Sequence, residues 1–273
     1  MQLIRSSNAY NGDPSADPGN PLVPQKESFF SAHDGLGDIY ALSPPVVPNK
    51  TDKSVLIVYL HGMGSTCMEP YIAPKKKPII DAVREKIGEA AFTSLPYRGT
   101  SSWLNKKALL DVDQNIRAVL LRYPVDRVIL MGTSMGGCSV LAYSYLAAPD
   151  IKEKIKAVIA CEPSGDLGEL YRTTKQATVK NGIATALGGT PDMVKDEYDR
   201  LSILRNIPAL NKEVKYIILS SKNDDVVPTS LQTTLVASLK KESIPVSLIE
   251  FEERHGVPDT QYYSQALDLA LAK

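Results

Sequence analysis

The sequence predicts an α/β domain: a mostly parallel sheet of about eight strands with helices on both faces and a small helical lid. Three observations predict it. Strand-like and helix-like segments alternate after residue 50, as repeated strand–helix units require. The strand-like segments are continuous apolar runs, which places them under cover on both sides. At 273 residues, 43% hydrophobic and 23% charged, the chain is long enough to bury such a two-faced core in one domain.

Residues 1–26 form an N-terminal arm rich in Pro, Gly, Asn and Asp, and residues 27–273 form the domain. Residues 27–32 and 38–42 flank Asp34, Gly35, Leu36 and Gly37 as an antiparallel hairpin. The apolar runs 55–60, 90–95, 128–131, 157–160, 216–219 and 246–249 follow as six parallel strands, which makes two antiparallel strands and six parallel ones. A first helix opens at Pro78, a residue suited to a first helical turn, with Ile79, Ile80, Val83 and Ile87 on one face. A second spans 106–122 with Leu109, Leu110, Ile116, Val119 and Leu120 inward. A third starts just after Ser134 and ends near Pro149, another runs from Pro228 to about 241, and 260–272 close the chain.

One stretch, about 163–210, is too long for a simple crossover. It shows a helical pattern over 167–187, a Gly188-Gly189 stop, Thr190 as an N-cap and Pro191 in the next first turn. This insertion is the expected lid over the sheet's carboxyl edge, with Leu170, Tyr171, Ile183 and Leu187 as an apolar roof. The alternative is a longer connection packed away from the site.

Lys plus Arg and Asp plus Glu number 31 each, so no net field favours nucleic acid, an anionic membrane or a highly charged substrate. The longest apolar run, 55–60, is far too short to span a bilayer. Cys67, Cys138 and Cys161 fit no zinc spacing and are expected as packed free thiols. Residues 1–25 lack the apolar core of a signal peptide and resemble a surface arm or the start of a mature exported chain, which leaves the compartment open.

The most specific signal is Gly132-Thr133-Ser134-Met135-Gly136, directly after an apolar strand and before a helix. A serine on so sharp a strand-to-helix turn sits at strained backbone angles, and its neighbours two positions away must be small. Its hydroxyl needs a base near neutral pH, and imidazole titrates in that range. Of three histidines, His33 lies in the hairpin, His61 follows the 55–60 strand, and His255 follows the last strand, before Gly256.

These residues resemble the α/β-hydrolase superfamily, over about 27–273 and in motif order. The resemblance implies the order oxyanion loop, nucleophile, acid, histidine. It makes Ser134 the nucleophile and His255 its base. It selects Asp224 as the acid from Asp224-Asp225-Val226-Val227-Pro228, with Asp225 as a neighbour capping the next helix and Glu162, one strand earlier, as a rival. His61-Gly62-Met63-Gly64 matches the family's HGxG loop, so the backbone N–H groups of Met63 and Met135 would donate to an oxyanion, with His61 bracing the loop. Residues 97–103 resemble a family loop of the RGxGxS kind and are expected as scaffold, with Trp103 lining an acyl pocket or packing under the lid.

The expected activity is hydrolysis of a small-molecule carboxylic ester through an acyl-enzyme on Ser134, a chemistry that requires neither a metal nor an organic cofactor. The runner-up is peptide or amide hydrolysis, because the hairpin, residues 201–208 and the acid loop resemble the catalytic domain of prolyl oligopeptidase relatives. A non-catalytic binding module on the same fold would be expected to lack a triad member, and none is missing.

Overall fold

The apolar runs build one sheet because each presents apolar side chains in both directions. In the computed structural model, which describes residues 23–47, 54–72 and 77–272, the strands are β1 (Gln25–Phe30), β2 (Gly37–Ser43), β3 (Val55–Leu60), β4 (Ala91–Leu95), β5 (Arg127–Thr133), β6 (Ile155–Cys161), β7 (Lys215–Ser221) and β8 (Val246–Phe251). They pair in the order β1-β2-β4-β3-β5-β6-β7-β8. In β3, Leu56, Val58 and Leu60 enter one core while Val55, Ile57 and Tyr59 enter the other, and every residue of the strand is buried. Successive side chains point to opposite faces, so such a strand needs cover on both.

The strand β2 is antiparallel to both β1 and β4, and the other pairings are parallel. The hairpin is antiparallel as expected, but β1 runs with the remaining strands, so one strand and not two opposes the sheet. The hairpin joins the sheet through its second strand, which reverses the direction once and then restores it. The sheet also starts earlier than residue 27, since Gln25 pairs with Leu42. Residues 1–22 of the expected arm lie outside the described residues.

One face is covered by α1 (Ile79–Lys86) and α9 (Thr260–Leu271), the other by α2 (Lys106–Arg122), α3 (Met135–Leu146) and α8 (Thr229–Lys241). A single turn, α4 (Pro149–Lys152), follows α3. The Asn105 side chain caps α2 by accepting from Ala108 N–H at 3.0 Å. The inward face of α2 is largely the expected one, with Ile116 and Val119 buried and Leu109 and Leu120 packed against the core, but Leu110 is 47% exposed, and Asp111, Asp113 and Asn115 are also buried. Asp111 pairs with Arg98 at 2.7 Å and Asp113 accepts from the Tyr143 hydroxyl at 2.7 Å. Buried charge is tolerated where it is partnered, and partners distant in sequence leave no trace in a local pattern.

Between β6 and β7 the insertion forms α5 (Leu167–Thr173), α6 (Ala177–Leu187) and α7 (Lys195–Leu201). The single helix expected over 167–187 is broken at Thr174, whose hydroxyl donates to Val226 O at 2.8 Å. The start expected at Thr190 and Pro191 is displaced to Lys195, because Thr190 O accepts from both Met193 and Val194 N–H in a preceding turn. Leu170, Ile183 and Leu187 are buried in the same core as the sheet, so the expected roof residues form the packing face of the insertion. Cys67, Cys138 and Cys161 are free and buried. Among the described residues no helix is long and apolar enough to cross a membrane.

Candidate active site

The adjacent strands β3, β5, β6, β7 and β8 are parallel, so the loops that leave their carboxyl ends meet along one edge. The turn after β5 carries Ser134 at φ 56°, ψ −115°, a conformation costly for a residue with a side chain. Its N–H donates to Cys161 O at 2.8 Å, and α3 starts at the next residue. A Cβ on Gly132 would lie 2.4 Å from Gly136 O, and one on Gly136 would lie 1.9 Å from Leu60 O. The motif's glycines are thus set by backbone passing against backbone.

Opposite the serine, His255 Nε2 lies 2.8 Å from Ser134 Oγ, and Nδ1 lies 2.9 Å from Asp224 Oδ2. The Asp224 side chain is fully buried and its charge is well solvated by the protein. Oδ1 accepts from Val226 and Val227 N–H at 2.9 and 2.8 Å, and Oδ2 also accepts from Gln232 Nε2 at 2.8 Å. Asp225 turns outward to pair with Arg254 and does not cap α8, whose N-terminal position is held by Pro228 without a side-chain cap.

Glu162, at the end of β6, also reaches the histidine: its Oε2 is 3.3 Å from His255 Nδ1 and accepts from Gly256 N–H at 2.7 Å. Burial pushes the Glu162 carboxyl up to about 8, against the opposing pull of His255 and the Gly256 N–H. For His255 burial acts downward, but the Asp224 hydrogen bond and the charges of Glu162 and Asp224 outweigh it, so the imidazole sits above its usual value. Glu162, Asp224 and His255 also bring donor atoms close enough to ligate a cation, but Nδ1 and the facing carboxylate oxygens are already engaged with one another.

The loop after β3 runs beside the serine. Neither Met63 N–H nor Met135 N–H has an acceptor among the described residues. The loop is held from several sides: Gly62 N–H donates to Glu69 at 3.1 Å, Gly64 N–H to Thr100 O at 2.8 Å, and the Tyr97 hydroxyl to His61 O at 2.6 Å. His61 is fully buried against Tyr97, with Nδ1 2.8 Å from Gly62 O. Beneath the serine turn the Thr133 hydroxyl joins those of Tyr59 at 2.8 Å and Tyr263 at 2.6 Å, and Tyr59 donates to Glu69 at 2.6 Å. A buried polar chain thus ties the serine turn to the loop beside it.

A cleft of about 290 Å³ opens over Ser134 and His255, walled by Met63, Trp103, Val179 and Val226. Trp103 both lines this cleft and packs beneath α6, where a Cβ on Gly182 would lie 3.5 Å from Nε1. Another depression, lined by Ser54, Pro124, Asp126 and Lys154, lies at the opposite ends of the strands, far from these groups. Gln232, Glu69 and Thr174 went unnoticed in the sequence. Only the position of Gln232, in the helix directly after the acid loop, offered a local signal.

Comparison with known proteins returns the model of the prolyl oligopeptidase family over residues 117–272, a span that contains Ser134, Asp224 and His255. No curated protein matches the chain. Among solved structures, it is similar to a puromycin-hydrolyzing peptidase of Mycobacterium tuberculosis, at 17% identity and a TM-score of 0.65, over 90% of this chain and 38% of that one. It is similar to the acylaminoacyl peptidase of Pyrococcus horikoshii at 15% identity and a TM-score of 0.68, over 90% and 40%. Esterase B of Lactobacillus Rhamnosis matches at 13% identity and a TM-score of 0.64, over 92% and 87%. The chain therefore spans 38% and 40% of the two peptidase chains. These likenesses share the fold, and the family model covers more than half of the chain. The protein belongs to the prolyl oligopeptidase family, within the serine hydrolases of the α/β-hydrolase superfamily.

Proposed function

We propose that this serine hydrolase cleaves amide or peptide bonds of small neutral substrates through an acyl-enzyme on Ser134. The observation that carries the chemistry is the unbroken line from Ser134 Oγ through His255 to Asp224, at 2.8 and 2.9 Å. His255 takes the hydroxyl proton at Nε2 as Oγ attacks the carbonyl carbon. Asp224 holds the Nδ1–H tautomer and stabilises the imidazolium. The oxyanion forms against the amides of Met63 and Met135, where each donor is worth on the order of 100- to 1000-fold in rate. The imidazolium then protonates the departing amine, and water activated by His255 releases the acid.

The preference for amides over esters rests on the family match and on the peptidases among the structural neighbours. It reverses the order in which the sequence alone ranked the two. Ester cleavage remains the second reading, favoured by the esterase neighbour that matches over 87% of its length. The insertion serves as a lid: Gln176, Thr178 and Val179 line the cleft, and Thr174 ties it to the acid loop. With apolar walls and no charged side chain lining it beyond the His255 imidazole, the cleft suits a neutral apolar acyl group.

Three measurements test this. Ser134→Ala should lose about 10⁶-fold in kcat with the fold intact, and an organophosphonate should label Ser134 alone; full turnover in that variant would sink the proposal. Comparing kcat/KM for a proline-containing aminoacyl amide with that for a short acyl ester decides the bond. A measurable ester rate with no amide turnover gives the second reading.

A further inference from the structure

The last residue before the β6 loop is held in a costly state. Glu162 has φ 50° although it is not a glycine, its side chain is fully buried, and its N–H is fixed to Leu219 O of β7 at 2.8 Å. Oε1 has no partner among the described residues, and no Lys or Arg among them pairs with this carboxylate. The group it faces is the imidazole: Oε2 lies 3.3 Å from Nδ1, alongside the 2.9 Å contact from Asp224. The same Oε2 accepts the N–H of Gly256 at 2.7 Å, which ties Glu162 to the residue after the histidine. Two buried carboxylates thus converge on one ring nitrogen, and the strained one has no other ionic partner.

We propose that Glu162 is a second positioning acid for His255, placed 3.3 Å from the Nδ1 whose hydrogen Asp224 accepts and able to take over that hydrogen and hold the imidazole's orientation when Asp224 is removed. The inference rests on the proposed roles of Ser134, His255 and Asp224. Charge around the pair is defined on every side. Asp224 and Asp225 come from the loop after β7, and Arg254 is occupied by Asp225. Cys161, next along β6, is held as the thiol by burial. An imidazolium and a Glu162 carboxylate stabilise each other, so Glu162 and His255 give up their protons in two coupled steps. Burial pushes the Glu162 carboxyl up to about 8, so the two steps belong to the pair and not to His255 alone.

The test is a double-mutant cycle on the intact protein, with kcat/KM measured from pH 5 to 10 on an activated acyl ester. Asp224→Asn should lose about 100-fold and the combination with Glu162→Gln about 10⁴-fold, the order expected when no acid holds the tautomer. Glu162→Gln alone should collapse the two-step pH profile into a single step at lower pH. An Asp224→Asn variant as impaired as the double variant overturns the proposal, as does a profile unmoved by Glu162→Gln. Should Glu162→Gln fail to fold, Asp224→Asn alone decides: a loss of about 100-fold supports the proposal and one of about 10⁴-fold overturns it. Failure of the underlying reading looks different, since Ser134→Ala would then keep its activity and no phosphonate would attach.

Discussion

At Nδ1 of His255, the hydrogen bond to Asp224 and the Glu162 oxygen at 3.3 Å act against burial, and their balance sets when the proposed base is neutral. Burial alone would hold the imidazole below its usual value, but the Asp224 bond and the two negative charges carry it above. In the proposed mechanism His255 must be neutral to take the Ser134 proton. Activity should therefore be lost as pH falls through an ionisation higher than the ordinary imidazole value of about 6.5. The acidic limb of kcat/KM in the free enzyme measures this, and a limb at or below that value would contradict it. Gln232 acts one step further out. Its amide donates to the same Asp224 oxygen that faces the ring, which fixes the carboxylate from the helix side.

Among the elements, the loop after β3 and the turn after β5 are built as one unit. The loop's Gly62 N–H and the Tyr59 hydroxyl of β3 both end on Glu69, and Tyr59 leads to Thr133, the residue before Ser134. Replacing Glu69 by Met keeps most of its volume but removes the oxygens on which both donors end. Expected is a fall in kcat of at least about tenfold with KM little changed, because the Met63 amide, the proposed oxyanion donor, is displaced. Steady-state kinetics check it, and a change confined to KM would show that Glu69 serves substrate binding instead. This dependence was invisible in sequence. Glu69 lies in a short turn of no helical or strand periodicity, and only the pairing of β3 with β5 brings Thr133 to the Tyr59 hydroxyl that ends on it.

For the molecule as a whole, the insertion is part of the core. Leu170, Ile183 and Leu187 are buried with residues of β3, β5 and α3. Ile183→Ala should cost about 2–5 kcal/mol of global stability, in one transition rather than two. Trp103 is the only tryptophan and packs beneath α6, so its fluorescence follows the insertion while far-UV circular dichroism follows the entire fold. Coincident denaturant curves are expected. An earlier fluorescence transition would mark the insertion as a separate unit.

The sequence by itself determined the class of fold, the alternation of strands and helices, and the placing of Ser134, Asp224 and His255 at strand ends. Those features are local: apolar runs, a glycine on either side of a turn, and an acid before two valines and a proline. The tertiary structure decided what depends on which strands are neighbours. It gave β2 alone the opposite direction, turned Leu110 of α2 outward while burying Asp111 and Asp113, and made the apolar side of the insertion a packing surface. It also brought Glu162 to the ring of His255, 93 residues away in the chain. The pairing of β6 with β7 and of β7 with β8 brings those ends together, and no local pattern encodes a contact made across two strands.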